Sequence, residues 1–279
     1  MLCGQKNVPL SFVMIAPPPS KREKPEPRRF GKSVINFNRD YQFKHFSRGE
    51  TLDFSIVLVG KAGHFWTQIL VAVRLMAESG LGEETSRFPF TLISAFAHED
   101  SGRPLRIFSR LDSSVSVYGV APVKLARIVE PEIEATTRRC AAPNECVVEI
   151  EFLAPASRRI FNKTRGDLSF AALVKKIGER FEFLASLYSE PSQKIDYRRF
   201  LTDADEISLL DESLEFYLYE QDSARQGQTI RRDVFIGNVK YKGKNLINYL
   251  PLLKIGEILN VGTDTSHGMG KFAVKLKNP

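Results

Sequence analysis

Between Val148 and Leu276 the apolar side chains change period in an order that few folds can absorb. Val148, Ile150 and Phe152 recur at the two-residue spacing of a strand, and Leu168 to Leu187 then turns helical, with Leu173, Ile177, Phe181 and Leu184 in register. Leu214, Phe216 and Leu218 return to strand spacing, and so does Val234 to Tyr241, where Gly237 interrupts the run and suggests a bulge. A short helix is expected next, with Asn248 as its N-cap, Pro251 in its first turn and Leu252, Ile255 and Leu259 on one face. Phe272, Val274 and Leu276 form the last strand. The order β–α–β–β–α–β is the split unit of a ferredoxin-like (RRM-like) domain.

The first half repeats part of that order. Leu52, Phe54, Ile56 and Leu58 alternate as a strand, Gly60 and Gly63 make a turn, and His64 to Ser79 is helical through Trp66, Ile69, Val73 and Met76. Gly80-Leu81-Gly82 ends that helix, and Phe88 to Phe96 reads as a strand. This is the latter β–α–β of a second such domain. About one β–α–β is then missing before residue 50, which implies a truncated start or a reduced domain. Pro17 to Arg29 is rich in proline and charge and reads as an extended loop. The stretch from Ala97 to Asn144 shows only short strand candidates, Leu105 to Phe108 and Val115 to Tyr118. The expectation is an α+β chain of tandem ferredoxin-like domains, the first incomplete at its N-terminus. Residues 1–110 form that partial domain, 111–145 an irregular connection, and 146–279 a complete domain.

The last region also carries the chemistry. Gly262-Thr263-Asp264-Thr265-Ser266-His267-Gly268-Met269-Gly270-Lys271 follows a helix and enters a strand whose other face bears Lys271, Lys275 and Lys277. Glycines let a backbone approach a ligand closely and fan its N–H groups around phosphate oxygens. Nucleotide-binding glycine loops follow a strand and open a helix, so the reversed order here favours a nucleic-acid backbone. The formal charge of +7 on 279 residues suits a polyanion. Three cysteines make no disulfide framework; Cys140 and Cys146 lack zinc-like spacing, and all three read as reduced thiols of a cytoplasmic protein. No apolar run reaches the ~18 residues of a membrane span, and a G-x-S-x-G nucleophile elbow is missing.

Four stretches together resemble the CRISPR-associated endoribonucleases that process precursor crRNA, within the repeat-associated (RAMP) superfamily. They are Leu10-Ser11-Phe12-Val13 with the prolines after it, Phe54 to Ala62 with the helix and Gly80-Leu81-Gly82, Asp222-Ser223-Ala224-Arg225-Gln226, and Gly256 to Phe272. The last is the most specific. The resemblance implies cleavage of CRISPR repeat RNA with neither metal nor cofactor: the ribose 2′-hydroxyl attacks the adjacent phosphate and leaves a 2′,3′-cyclic phosphate and a 5′-hydroxyl. Such a reaction needs proton transfer, which histidine suits, and cations for the phosphate charge.

Of four histidines, His267 in the loop is the first candidate for general base or acid, and His45, among Phe43, Lys44 and Phe46, is the second. His64 and His98 read as structural. Ser223, Arg225, Gln226, Lys254, Lys271 and the glycines Gly262, Gly268 and Gly270 are the candidate RNA contacts, Arg225 as a bidentate phosphate clamp. Arg231 and Arg232 read as surface charge, and Tyr217 and Tyr219 as base-stacking or core residues. Three departures accompany the resemblance: Asn260 stands where many relatives have histidine, Asp264 lies near an often basic position, and the first β–α–β is missing. The rival is a non-catalytic RAMP subunit that holds crRNA in a crRNA-guided effector complex. A third reading is a degenerate relative that needs a partner to complete its first domain.

Overall fold

The computed structural model describes residues 6–15, 49–81, 87–98, 104–111, 114–115, 123–138, 146–161, 168–188, 201–223 and 228–277. They fall into two compact units, one drawn from residues 6–123 and 221–230, the other from 124–220 and 231–279. Both are α+β with antiparallel sheets, and the chain is a tandem of ferredoxin-like units.

In the first unit, β1 (Lys6–Ile15) lies between β2 (Thr51–Val59) and β3 (Thr91–His98), antiparallel to both. Helix α1 (Trp66–Ser79) joins β2 to β3, so the split β–α–β read from the sequence brackets β1, which was not read as a strand. β1 contains the stretch read as a lead-in, and it supplies a first strand of the β–α–β read as missing before residue 50. The proline-rich stretch lies outside the described residues. β4 (Pro104–Ser109) and β5 (Ser114–Val115) extend the sheet beyond β3, and β6 (Val123–Lys124) pairs with β1. Trp66, Leu70 and Val73 of α1 pack on Phe54, Leu58, Leu92, Ala95 and Ile107 in one apolar cluster. The helix therefore buries a single stripe, as its spacing requires.

The second unit has the order expected. Its strands are β7 (Val147–Ser157), β8 (Ser208–Ser223), β9 (Gln228–Lys242) and β10 (Phe272–Lys277), with sheet order β10-β7-β9-β8. Helix α3 (Phe170–Tyr188) links β7 to β8, and α4 (Leu250–Leu259) links β9 to β10. Phe272, Val274 and Leu276 stand opposite Phe152, Ile150 and Val148, which puts both apolar rows on one face. Phe152 meets Phe235 edge to face at 4.8 Å, and Phe170 meets Tyr249 likewise at 5.0 Å.

Four local readings change. Within 111–145, read as an irregular connection, a further helix α2 spans Leu125–Arg138; it buries Val129 and packs against α4 and β10. Asn248 lies in a 3-10 turn, and Tyr249 takes the N-cap position of α4, with Pro251 in the first turn as expected. Cys146 is disulfide-bonded, not a reduced thiol. The ladder break expected at Gly237 is present, but its extra residues are in β7: Phe152 pairs with Gly237 and Ala156 with Phe235. No helix among the described residues is long and apolar enough to cross a membrane.

Candidate functional site

The β7 bulge and the end of α4 together build the glycine loop. Asn260 leaves α4 at a positive φ of 62°, and the loop closes on itself where the Val261 N–H donates to the Gly270 carbonyl at 3.0 Å. Gly270 N–H donates in turn to the Pro155 carbonyl at 2.8 Å, while Leu153 N–H donates to the Lys271 carbonyl at 2.8 Å. A Cβ at Gly270 would stand 1.8 Å from the Val261 oxygen, and φ there is +71°. Only glycine fits. Gly262, at φ +96°, would bring a Cβ to 2.9 Å from the Ile160 side chain. The glycines thus serve the closeness of loop to sheet. Gly268 and Gly270 are buried, and the amides of Val261, His267, Gly268 and Gly270 all bond within the protein.

Thr265–His267 form a 3-10 turn at the loop's tip, with the His267 N–H donating to the Asp264 carbonyl at 2.9 Å. The His267 side chain is 56% exposed, and Thr263 and Ser266 beside it are exposed as well. Its Nδ1 lies 3.8 Å from Asp264 Oδ1. Asp264 is held by Arg232 of β9 through two contacts, Nε to Oδ2 at 2.6 Å and Nη2 to Oδ1 at 3.0 Å. Tyr219 of β8 faces the same pair. Burial pushes its phenol up; the Arg232 charge pulls it down and the Asp264 charge raises it. Tyr217, with its hydroxyl buried, is pushed up to about 12, first by burial and then by the charges of Tyr219 and Glu215.

Behind the loop, Glu257 is a hub. Its carboxylate pairs with Lys254 at 2.8 Å and accepts the Val274 N–H, while its carbonyl accepts the Lys271 ammonium. Lys254 is 7% exposed, and burial lowers the Lys271 pKa against the opposing Glu257 charge. Both lysines face into the fold and tie α4 to β10, where a phosphate-facing role had been expected. Glu257→Ala should cost about 3 kcal/mol, because it strands a buried ammonium. A lower urea midpoint at unchanged m-value reads that loss. Arg180 of α3 donates from Nε to the Leu259 carbonyl at 2.9 Å and satisfies the last turn of α4, so the loop's entry is fixed too.

The lysine face of β10 is matched charge for charge: Lys275 pairs with Glu151 and Lys277 with Glu149 of β7, each at 2.5 Å. Of the other candidates, Ser223 ends β8, and His45, Arg225 and Gln226 lie outside the described residues. His64 is exposed in the turn before α1. The periodicity pointed to none of Asp264, Arg232, Glu257 or Arg180 as site-building residues.

Residues 150–272, which include the whole loop, match the family model of the CRISPR-associated endoribonuclease Cas6. Over this span the chain resembles the Cas6 endoribonucleases. A second family model, an N-terminal domain, matches residues 5–118 of the chain. Among curated proteins no sequence matches. A chain of the partial Cas6-RT-Cas1–Cas2 complex superposes with a TM-score of 0.58 at 14% identity, covering 99% of this chain and 47% of that one. The Cas6-RT-Cas1–Cas2 complex gives the same score and identity and covers 99% and 30%. The chain thus spans about half the length of the first and under a third of the second. Cas6 of Thermus thermophilus superposes at 0.48 with 11% identity, covering 98% and 99%. At these identities the first two likenesses speak for the fold.

Proposed function

We propose that this chain is a Cas6-type endoribonuclease of the RAMP superfamily that cuts CRISPR repeat RNA in precursor crRNA without a metal ion. The 2′-oxygen bonds to phosphorus, the bond from phosphorus to the 5′-oxygen breaks, and the products are a 2′,3′-cyclic phosphate and a 5′-hydroxyl. The proton of the 2′-hydroxyl passes to a base, and the departing 5′-oxygen takes one up. His267 carries one of these transfers, and His45 is the second candidate for proton transfer.

One observation carries this reading: an exposed imidazole sits at the tip of a loop tied to the sheet at its neck, inside the region that matches the Cas6 family. Such a mount holds a proton-transfer group steady against a docked phosphodiester. Ser223, at the end of β8, and Arg225 and Gln226 are the proposed backbone contacts; Lys254 and Lys271 act from behind by holding the loop. RNA of this kind is read through its backbone and hairpin shape as well as its bases.

The test is end-labelled repeat RNA incubated with the purified chain in excess EDTA. A single cut ending in a cyclic phosphate is the expected result. A gel shift with intact RNA would replace this reading with the crRNA-holding subunit. Affinity should fall as salt rises, with a log–log slope of about −0.7 per phosphate neutralised. A flat salt profile would speak against backbone recognition.

A further inference from the structure

The aspartate in the loop has no place in a phosphate cradle, where its charge repels the ligand. It is nonetheless built in. Asp264 takes a left-handed backbone conformation, φ 56°, which aspartate and asparagine tolerate better than other side chains. Its carboxylate is mostly buried, and so is the guanidinium that grips it from β9. That two-point grip fixes the plane of the carboxylate from the sheet, independently of the loop's own bonds. The same residue accepts the His267 N–H through its carbonyl, which stacks the two side chains on one side of the turn and leaves Oδ1 3.8 Å from Nδ1. That distance is too long for a hydrogen bond. At that range the carboxylate still acts through its charge, which favours a proton on the ring nitrogen that faces it.

We infer that Asp264 is a positioning residue for His267: it holds the Nδ1 side of the imidazole, with Arg232 as its anchor, and leaves Nε2 to exchange protons with RNA. The inference rests on the endoribonuclease reading for its catalytic meaning, while the contact itself is a property of the free protein. Arg232, paired in this way, serves the carboxylate and is not a phosphate clamp. Tyr219 of β8 lies close enough to feel the charges of both members of the pair.

Asp264→Asn keeps the left-handed backbone and the shape and removes only the charge. Arg232→Lys keeps the charge and loses the two-point grip. Two readouts apply. The first is the side-chain nitrogen spectrum of the free protein at alkaline pH, with the His267 signals assigned by their loss in His267→Ala. Wild type should carry its imidazole proton mainly on Nδ1, and Asp264→Asn should redistribute it toward Nε2. The second is single-turnover cleavage at saturating RNA, where Asp264→Asn should be slower by about ten- to a hundredfold, with RNA affinity held within about threefold. Arg232→Lys should fall between the two.

Unchanged tautomer signals together with a wild-type rate in Asp264→Asn overturn the inference, even if His267→Ala is inactive. Loss of rate that is matched by loss of affinity overturns it as well, because that is the mark of a collapsed loop. If Asp264→Asn does not fold, Arg232→Lys decides, and wild-type signals and rate there overturn the proposal. Should His267→Ala cleave normally, the enzymatic reading of His267 fails, while the nitrogen spectrum still judges the contact.

Discussion

His267→Ala is expected to slow single-turnover cleavage of repeat RNA by about a hundred- to ten-thousandfold, the range for removal of one general acid or base. That corresponds to about 3 to 5 kcal/mol of transition-state stabilisation. RNA affinity should change little, because the loop's shape comes from its backbone bonds and its glycines and not from the imidazole. A fall in rate at constant affinity is the mark of a group that acts only in the transition state. His45→Ala belongs in the same experiment. If it is the inactive variant and His267→Ala cleaves normally, proton transfer belongs to the N-terminal histidine. If both cleave like wild type, neither histidine carries the reaction.

Gly270→Ala is expected to damage the protein more than any other single methyl added to the loop. The new Cβ has no room beside the Val261 oxygen, and the left-handed conformation adds its own strain. Backbone must move, which breaks the bond from Val261 to Gly270 or the one from Gly270 to Pro155. The expected loss is about 3 kcal/mol in a urea titration, together with loss of RNA binding. Ser266→Ala, on the exposed tip, should stay within about 0.5 kcal/mol of wild type. Equal midpoints for the two variants would mean that the loop does not close at its neck.

The second unit was legible because each of its elements buries one face, and a buried face writes its period into the chain. The strand β1 was passed over although Val8, Leu10, Phe12 and Met14 alternate at strand spacing; what no local pattern shows is its pairing with strands that begin at Thr51 and Thr91. α2 is a different kind of miss. Leu125, Val129 and Ile133 have helical spacing, but the stretch around them is of mixed polarity, and Pro131 inside the helix removes a backbone donor. In the loop, the need for glycine could be read, but not its physical reason, which lies in the Val261 oxygen. Asp264 and Arg232 stand 32 positions apart and meet only through the fold. Lys254 and Lys271 looked like phosphate ligands because sequence shows charge and not its partner. Glu257, three residues from Lys254, was the available clue.

The ladder of Lys275 with Glu151 and Lys277 with Glu149 bears on how a polyanion finds this protein. Opposite charges side by side act at a distance as small dipoles, and their potential dies away much faster than that of a lone cation. The formal +7 is therefore not spread evenly, and this face of the sheet contributes little to long-range attraction. An approaching RNA would drift past the β10 lysines and settle where positive charge is left uncompensated.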